Sequence, residues 1–394
     1  MTAPKQPPGA ALVANLVGQI AFGLLAMTIC LPSMPSWSTT FGASPAAVQL
    51  TFSSYLLAYG LAQLVHGSLS DRLGRRRVLL AGLALAMAGS LWAAFAPGLG
   101  ALIAARVLQG AGAGAGMVVG RAIVQDRFVG HQRTRVMAYV GMALGVCPPL
   151  ATLVGGQLHV QFGWRAGFLL MAGLAVLMML AAWRGLPAHP ATAHNAPPPG
   201  LRDLLASYAR LLREARFLRY VGVLALTNAA FFAFLGGAPR VLTSYGVGPD
   251  RIGWFVMCVT FSYVAGNFLT SRLIQRLGEA RLLAMGQLAS AAGIGLVVAL
   301  ALAGLTTPLA LALPLVLMGI GHGFLMPTLL TGTVGLMPAL AGAAAAVAGT
   351  SQQLVGALSG WLVGLVPHDT ALPLALLMLA FTASAAAVQA GLRR

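Results

Sequence analysis

The sequence predicts an all-α membrane protein, with twelve transmembrane helices in two six-helix bundles, and three observations carry that prediction. Of its 394 residues, 58% are hydrophobic and only 8% charged, against roughly 45–50% and 25% in an ordinary soluble protein. The apolar residues lie in long unbroken runs close to the ~20 residues that a bilayer-crossing helix takes, unlike the short alternating segments of an outer-membrane barrel. The chain also repeats itself: Arg72 to Gly82 reads RLGRRRVLLAG and Arg276 to Gly286 reads RLGEARLLAMG, six identities in eleven at an offset of 204. That offset is about half the chain and carries span two onto span eight, as in a parallel repeat of two halves.

The runs fall near residues 11–31, 47–67, 78–96, 101–124, 136–158, 165–184, 217–237, 251–271, 282–304, 308–330, 343–366 and 371–391. The first lacks a convincing small-residue cleavage site and reads as span one rather than as a signal peptide. An even number of spans puts both termini on one side. With that side cytoplasmic, the inner segments hold Lys5, Arg72, Arg75, Arg76, Arg77, Arg127, Arg133, Arg135, Arg184, Arg202, Arg210, Arg213, Arg216, Arg219, Arg272, Arg276, Arg281, Arg393 and Arg394, nineteen of the 24 cations. Outer loops hold Arg165, Arg240 and Arg251, and Arg106 and Arg121 lie in span four. This is the positive-inside pattern of a bacterial inner-membrane protein. A net charge of +17 would point to nucleic acid in a soluble chain; here topology accounts for it, and no nucleic-acid partner is expected.

Residues 1–184 form the first expected bundle, 185–216 a cytoplasmic linker and 217–394 the second bundle. Gly185 to Gly200 reads GLPAHPATAHNAPPPG, polar and proline-rich, with nothing to build a core. Leu201, Leu204, Leu205, Tyr208, Leu211, Leu212, Ala215 and Leu218 then recur at helical spacing, with Arg202, Arg210, Arg213 and Arg216 between them. That pattern suits a helix lying on an anionic leaflet, or a solvated linker helix.

Catalytic chemistry finds no foothold. The only lysine is Lys5, so a phosphate-binding GxxxxGK[ST] loop is impossible and ATP is not the energy source. Gly110, Gly112, Gly114 and Gly116 sit mid-span without the GxGxxG register, and close helix packing explains them better than a dinucleotide. Cys30, Cys147 and Cys258 lie far apart in apolar runs, without metal spacing, and read as small buried apolar residues. An embedded hydrolase would need a nucleophile with a histidine, or paired carboxylates, at membrane depth. No acid is mid-span, Asp71 and Asp126 being at inner ends. No cofactor, no metal and no enzymatic activity are expected.

Four groups of residues are candidates for function. The first is the loop Gly67-Ser-Leu-Ser-Asp71-Arg72-Leu-Gly74-Arg75-Arg76-Arg77, where two glycines permit a tight turn and close approach, and a carboxylate sits among cations that keep it ionised. Span five carries Gly141, Gly145, Pro149, Thr152 and Gly156 on one helical face, small enough for another helix to reach backbone contact. Arg106 lies roughly 8 Å into span four at 1.5 Å per residue, a costly place for a charge, so it either faces a polar cavity or snorkels outward. On span two, Gln49, Phe52, Leu56, Tyr59 and Gln63 fall within about 80° of one another, an aromatic and amide face suited to a pocket for apolar, hydrogen-bonding molecules. Gln19, Asn228, Phe231 and His322 join them on polarity or aromatic character and span position, though each is equally well placed for an interhelical hydrogen bond.

The GxxxDRxGRR spacing from Gly67 to Arg76 resembles the cytoplasmic loop motif of the major facilitator superfamily. Further residues are similar to its bicyclomycin/chloramphenicol-resistance (Bcr/CflA) drug exporters: Leu31-Pro-Ser-Met-Pro35, Val48-Gln49-Leu50-Thr51, Arg106-Val-Leu-Gln109-Gly110, Arg121-Ala-Ile-Val-Gln-Asp126, Pro148-Pro149, Gly155-Gly156 and Gly163-Trp164-Arg165. The match is dense from 31 to 168 and thinner afterwards, where Gln352, Gln353 and Gly356 fit. The resemblance implies a monomeric carrier exporting small drug-like molecules by alternating access, with protons as the coupling ion. It implies that Asp71, Arg75 and Asp126 form an inner charge cluster that holds the outward-open state. It names the span-five face, with Pro148 and Gly155, the antiporter motif, packed on span eight. It also gives Arg106 a part in substrate or proton handling. One departure stands out: where the group usually has an aspartate, four residues before the first proline of LPxxP, this chain has Thr28. A facilitator of a sugar or amino acid is the alternative within transport.

Overall fold

The computed structural model describes residues 9–186, 201–337 and 340–391. Lys5, Arg393, Arg394 and the linker from 187 to 200 lie outside them. Twelve long helices follow the twelve apolar runs: α1 (Ala10–Thr28), α2 (Pro45–Leu73), α3 (Arg75–Ala94), α4 (Leu99–Arg127), α5 (Gly130–Phe162), α6 (Arg165–Gly185), α7 (Ala215–Ser244), α8 (Pro249–Leu277), α9 (Glu279–Leu302), α10 (Leu315–Gly335), α11 (Ala341–Leu365) and α12 (Ala371–Ala390). Boundaries move where proline intervenes. Pro32 and Pro35 end α1 in a 3₁₀ turn and a short helix Met34–Thr40, and Pro314 separates a short helix Pro308–Ala312 from α10, because a prolyl ring has no N–H to continue the ladder.

Among the described residues, ten helical segments are long and apolar enough to cross a membrane, and α2 and α11 are not among them. These two pack against each other across the middle of the protein. Each carries buried glutamine, serine and glycine on its inner face, Gln49, Ser53 and Gly60 on α2 and Gln353, Ser359 and Gly360 on α11, which lowers its mean hydropathy. The outward side chains have the opposite character: Leu57, Trp183, Phe268 and Leu288 are exposed, as suits a surface that meets lipid. Cys258 belongs with them. It is exposed on α8, so the expectation that all three cysteines are buried fails for this one, which lies on the outward surface near the exposed Trp254.

Within the first half, α4 is the hub. A Cβ on Gly110 would fall 2.5 Å from the Tyr55 carbonyl oxygen, one on Gly114 2.9 Å from that of Tyr59, one on Gly112 against Ala86 and Gly82, and one on Gly116 against Gln19. Glycines two apart point in different directions around a helix, so this ladder brings α2, α3 and α1 to backbone contact at once. The second half repeats the scheme with α8, α9 and α10. The repeat read in the sequence shows directly in the backbone: Gly74 ends α2 at φ 94° and Gly278 ends α8 at φ 76°, a left-handed conformation that glycine adopts without the Cβ clash.

Two seams join the halves, α2 on α11 and α5 on α8. The 204-residue offset carries α2 to α8 and α5 to α11, so exchanging the halves turns one seam into the other. The amphipathic stretch forms a helix, Leu201–Arg213, resting on α7 and α11. Leu211 is fully buried there in a cluster with Phe217, while Leu212 is exposed.

Candidate functional site

Both seams are closed on the side that carries Arg165, Arg240 and Arg251. The Phe52 ring meets Phe232 edge-on at 6.2 Å between centroids. A Cβ on Gly364 would lie 2.8 Å from the Ala46 Cα, and one on Gly156 2.8 Å from the Pro249 carbonyl carbon. Arg240 donates to the Ser38 hydroxyl across the halves at 3.3 Å. A recess beside them is lined by Met34, Gln49, Arg240 and His368. Burial, helped by Arg240, pushes the His368 imidazole in the α11–α12 loop down to about 4, so this histidine is neutral at pH 7.

Toward the opposite side, rich in arginine, the seams part. Thr350 still donates to the Gly60 carbonyl at 3.3 Å, a Cβ on Gly349 would lie 3.8 Å from the Gln63 amide oxygen, and one on Gly145 2.6 Å from Val264. Beyond these levels Gly141 and Gly342 have nothing within 4 Å and both are exposed. The cavity between the halves therefore opens to the arginine-rich side.

Arg106 does not face that opening, and it does not snorkel. Its side chain is wholly buried. Nη1 donates to the Ala26 carbonyl at 2.8 Å and to the Gln109 side-chain oxygen at 2.5 Å, Nε to the Thr51 carbonyl at 3.3 Å, and Nη2 to the Met27 carbonyl at 3.3 Å. The guanidinium carbon lies 4.1 Å from the centroid of the Tyr55 ring. Gln109 passes the network on to Ser90 at 2.8 Å, and Ser90 to the Ala86 carbonyl at 2.7 Å. Placing an arginine at the membrane centre costs about 2.5–3.5 kcal/mol on insertion scales, whereas hydrogen bonds to a charged group return about 1.5–3 kcal/mol each. Four such bonds outweigh the penalty, so the charge ties α1, α2, α3 and α4 together. Thr28 stands beside this network, with its hydroxyl donated to the Leu24 carbonyl at 2.8 Å.

The loop motif folds into a compact cluster at the arginine-rich end of the first half. Arg75 pairs with Asp71 at 2.5 Å and with Asp126 of α4 at 3.2 Å, and donates to the Ser70 hydroxyl at 2.7 Å. Arg76 reaches the Leu186 carbonyl at 3.4 Å, while Arg72 is exposed. Gly67 packs on Val118 of α4, and Gly74 makes the turn. The acids are 44% and 29% exposed, where each pair contributes no more than about 1 kcal/mol.

The remaining candidates scatter. Tyr59 is buried against Gly23 and its hydroxyl has no hydrogen-bond partner among the described residues. Gln63 is half-buried at the α2–α11 seam. Gln19 donates to Asn15 at 3.0 Å and to the Met178 carbonyl at 2.8 Å, which turns it toward α6 inside its own bundle. His322 is buried with Nε2 2.9 Å from the Thr227 carbonyl and its ring 6.2 Å from Phe231, joining α10 to α7. Phe231 and Asn228 are half-buried on α7. On α5, Gly145 and Gly156 face α8, whereas a Cβ on Gly155 would strike the Ile29 carbonyl of the first half. Pro148 and Pro149 sit inside the unbroken α5, and Thr152 donates to the Pro148 carbonyl at 2.7 Å. Tyr55 was not among the candidates, although it stacks on Tyr59 at 5.9 Å and donates to the Gly23 carbonyl at 2.7 Å. Its position, four residues before Tyr59, was the available signal.

Residues 16–360 match the family model described as Major Facilitator Superfamily. The chain belongs to the major facilitator superfamily. The transporter is 30% identical over 375 residues to the multidrug resistance protein D of Escherichia coli (strain K12), with 93% of this chain and 92% of that protein covered. It is 28% identical to a chloramphenicol resistance protein of Pseudomonas aeruginosa, covering 92% and 86%. It is 26% identical to a bicyclomycin resistance protein homolog of Haemophilus influenzae, covering 87% and 86%. These relatives agree with the Bcr/CflA-type resemblance. Two solved structures show the same fold: the xylose transporter XylE from E. coli in a partially occluded inward-open conformation (TM-score 0.72, 15% identity, 96% and 95% covered) and a mutant form of the nucleoside transporter NupG (TM-score 0.77, 12% identity, 97% and 99% covered).

The close approach at Gly145 predicts a functional rather than a folding defect. Gly145→Leu should accumulate in the membrane as a monodisperse protein yet lose at least tenfold in transport rate, measured as efflux from cells matched for protein level. Wild-type efflux by this variant would mean that the face does not need to close on α8.

Proposed function

We propose that the transporter exports small drug-like molecules by alternating access, as a monomer of the bacterial inner membrane with both termini and the arginine-rich side in the cytoplasm. The observation that carries this reading is the pair of interchangeable seams, closed at one end and parted at the other. A rocking motion that opens the closed end and shuts the open one needs only small-residue faces to slide, and α5 and α11 supply them. The drug-resistance names of the relatives support the substrate class and the outward direction. No step of this cycle changes the substrate chemically.

Protons moving inward are the proposed coupling ion, with Asp126, Asp71 and His322 as the groups able to carry them. Coupling has a large effect: ~150 mV is worth ~3.5 kcal/mol per charge, more than a hundredfold in the gradient of a neutral substrate. A carrier without proton coupling is the second reading, favoured by Thr28, whose buried hydroxyl is engaged by Leu24 and cannot exchange a proton in the physiological range. Proteoliposomes separate the two. Vesicles with an acidic lumen should accumulate chloramphenicol against its gradient through the wild type and lose that accumulation with Asp126→Asn. Downhill flux that ignores the pH gradient would establish the facilitator, and chemical modification of the substrate would end the transport reading.

The Arg75 cluster is proposed to hold the outward-open state. In the present conformation Asp71 is paired within its own half, and closing the arginine-rich end brings it toward the other. Asp71→Asn should shift the conformational balance by about 1 kcal/mol and slow efflux severalfold at normal protein level. Efflux at the wild-type rate would remove the cluster from the gate.

A further inference from the structure

Arg121, which the sequence shows only as a span-four cation opening the Arg121–Asp126 motif, belongs to neither the gate nor the Arg106 network. It sits in α4, six residues from the helix end at Arg127 and three residues, or about 4.5 Å at 1.5 Å per residue, inside the apolar run that ends at residue 124. Its side chain is accessible although protein surrounds the charged group, as in a cleft. It is within electrostatic reach of two tyrosines, Tyr59 on α2 of the first half and Tyr263 on α8 of the second. Among the described residues it has no hydrogen bond and no ion pair, all three ion pairs there belonging to Arg75 and Arg251. A cation at this depth that is accessible and close to both halves lies in the cavity that opens between the seams.

We propose that Arg121 is the specificity-determining residue of the substrate site, and that the group it takes is an anion, a carboxylate, sulfonate or phosphonate on an aromatic molecule. This rests on the export reading above and narrows its substrate class. A guanidinium presents its N–H groups as a planar fork that matches a carboxylate in two parallel bonds. Tyr263, half-buried on α8 of the other half, lies within electrostatic reach of Arg121, so aromatic surface accompanies the charge. No acid in the chain competes for the site: Asp71 and Asp126 belong to Arg75, and Asp203, Glu214, Asp250, Glu279 and Asp369 lie in loops, in the linker helix or at the first turns of helices. The same charge repels a cationic drug. Electrical driving force follows from this assignment. An anion leaves the cell down the inside-negative membrane potential, so a carrier with Thr28 in place of an acid still concentrates such a substrate outside.

The test compares three aromatic probes of different charge in a bacterium stripped of its own efflux pumps: fluorescein, loaded as its diacetate, for the anion; ethidium for the cation; chloramphenicol for the neutral molecule. Wild type is expected to speed fluorescein efflux over the empty-vector control and to leave ethidium at the control rate. Arg121→Gln should slow fluorescein efflux at least tenfold, and Arg121→Lys, which keeps the charge, should restore it to within about threefold of wild type. Wild-type fluorescein efflux by Arg121→Gln overturns the proposal while leaving export intact. So does a wild type that moves ethidium or chloramphenicol and ignores fluorescein, a result that holds whether or not the variants fold. Movement of none of the three by protein present in the membrane overturns the export reading and this assignment with it.

Discussion

Hydrocarbon offers no hydrogen bonds, and that constraint shapes this protein more than any single contact. Every polar group at membrane depth has to be satisfied by another helix or by water in a cavity. Arg106 shows the first solution: carbonyls of α1 and α2 and the amide of Gln109 surround it, and the cost of the charge becomes the reason that four helices hold one arrangement. Arg121 has the second open to it, being an accessible side chain near the arginine-rich end of the same helix. Two arginines fifteen residues apart on one helix thus differ in kind, one locked among carbonyls and one left for the proposed substrate site.

The proposed rocking motion needs joints that tolerate sliding, and the seams are lined with small residues. Side chains interdigitated across a seam would have to disengage at each cycle, whereas glycine against backbone presents a smooth face. Gly156 meets the Pro249 backbone between α5 and α8 and Gly364 that of Ala46 between α11 and α2, while Gly145 and Gly360 take the side chains of Val264 and Ser53. Because the halves are a repeat, one solution found by the sequence is used twice, and the two seams part at the same end of the molecule. The rings of Phe52 on α2 and Phe232 on α7 meet edge-on beside the closed end of one seam.

Much of this was legible in the sequence, for identifiable reasons. Twelve apolar runs gave twelve helices because the bilayer length is a hard ruler, and the RLG repeat located the equivalent turns at Gly74 and Gly278 because only a left-handed residue ends a helix so sharply. The glycine ladder of α4 was readable as packing, but not which helices it packed. Arg106 was not resolvable between cavity and snorkel, since its real partners are backbone carbonyls, which every residue carries and no pattern reveals. Gln19 and His322 look like pocket residues by polarity alone and instead join neighbouring helices. Arg121 was visible only as part of a motif; its exposure depends on how far the seams part, which is a property of the whole assembly.

The central claim is that one motion opens one end of the seams as it closes the other. Spin labels at Ser68 and Gly342 report the arginine-rich end, and labels at Thr39 and Ser244 the opposite end, with distances read by double electron–electron resonance in nanodiscs while pH and substrate are varied. Opposite movement is the result this account requires: the Ser68–Gly342 distance shortens in the same population in which the Thr39–Ser244 distance lengthens. Distances that stay fixed under all conditions, or that lengthen together, would contradict it.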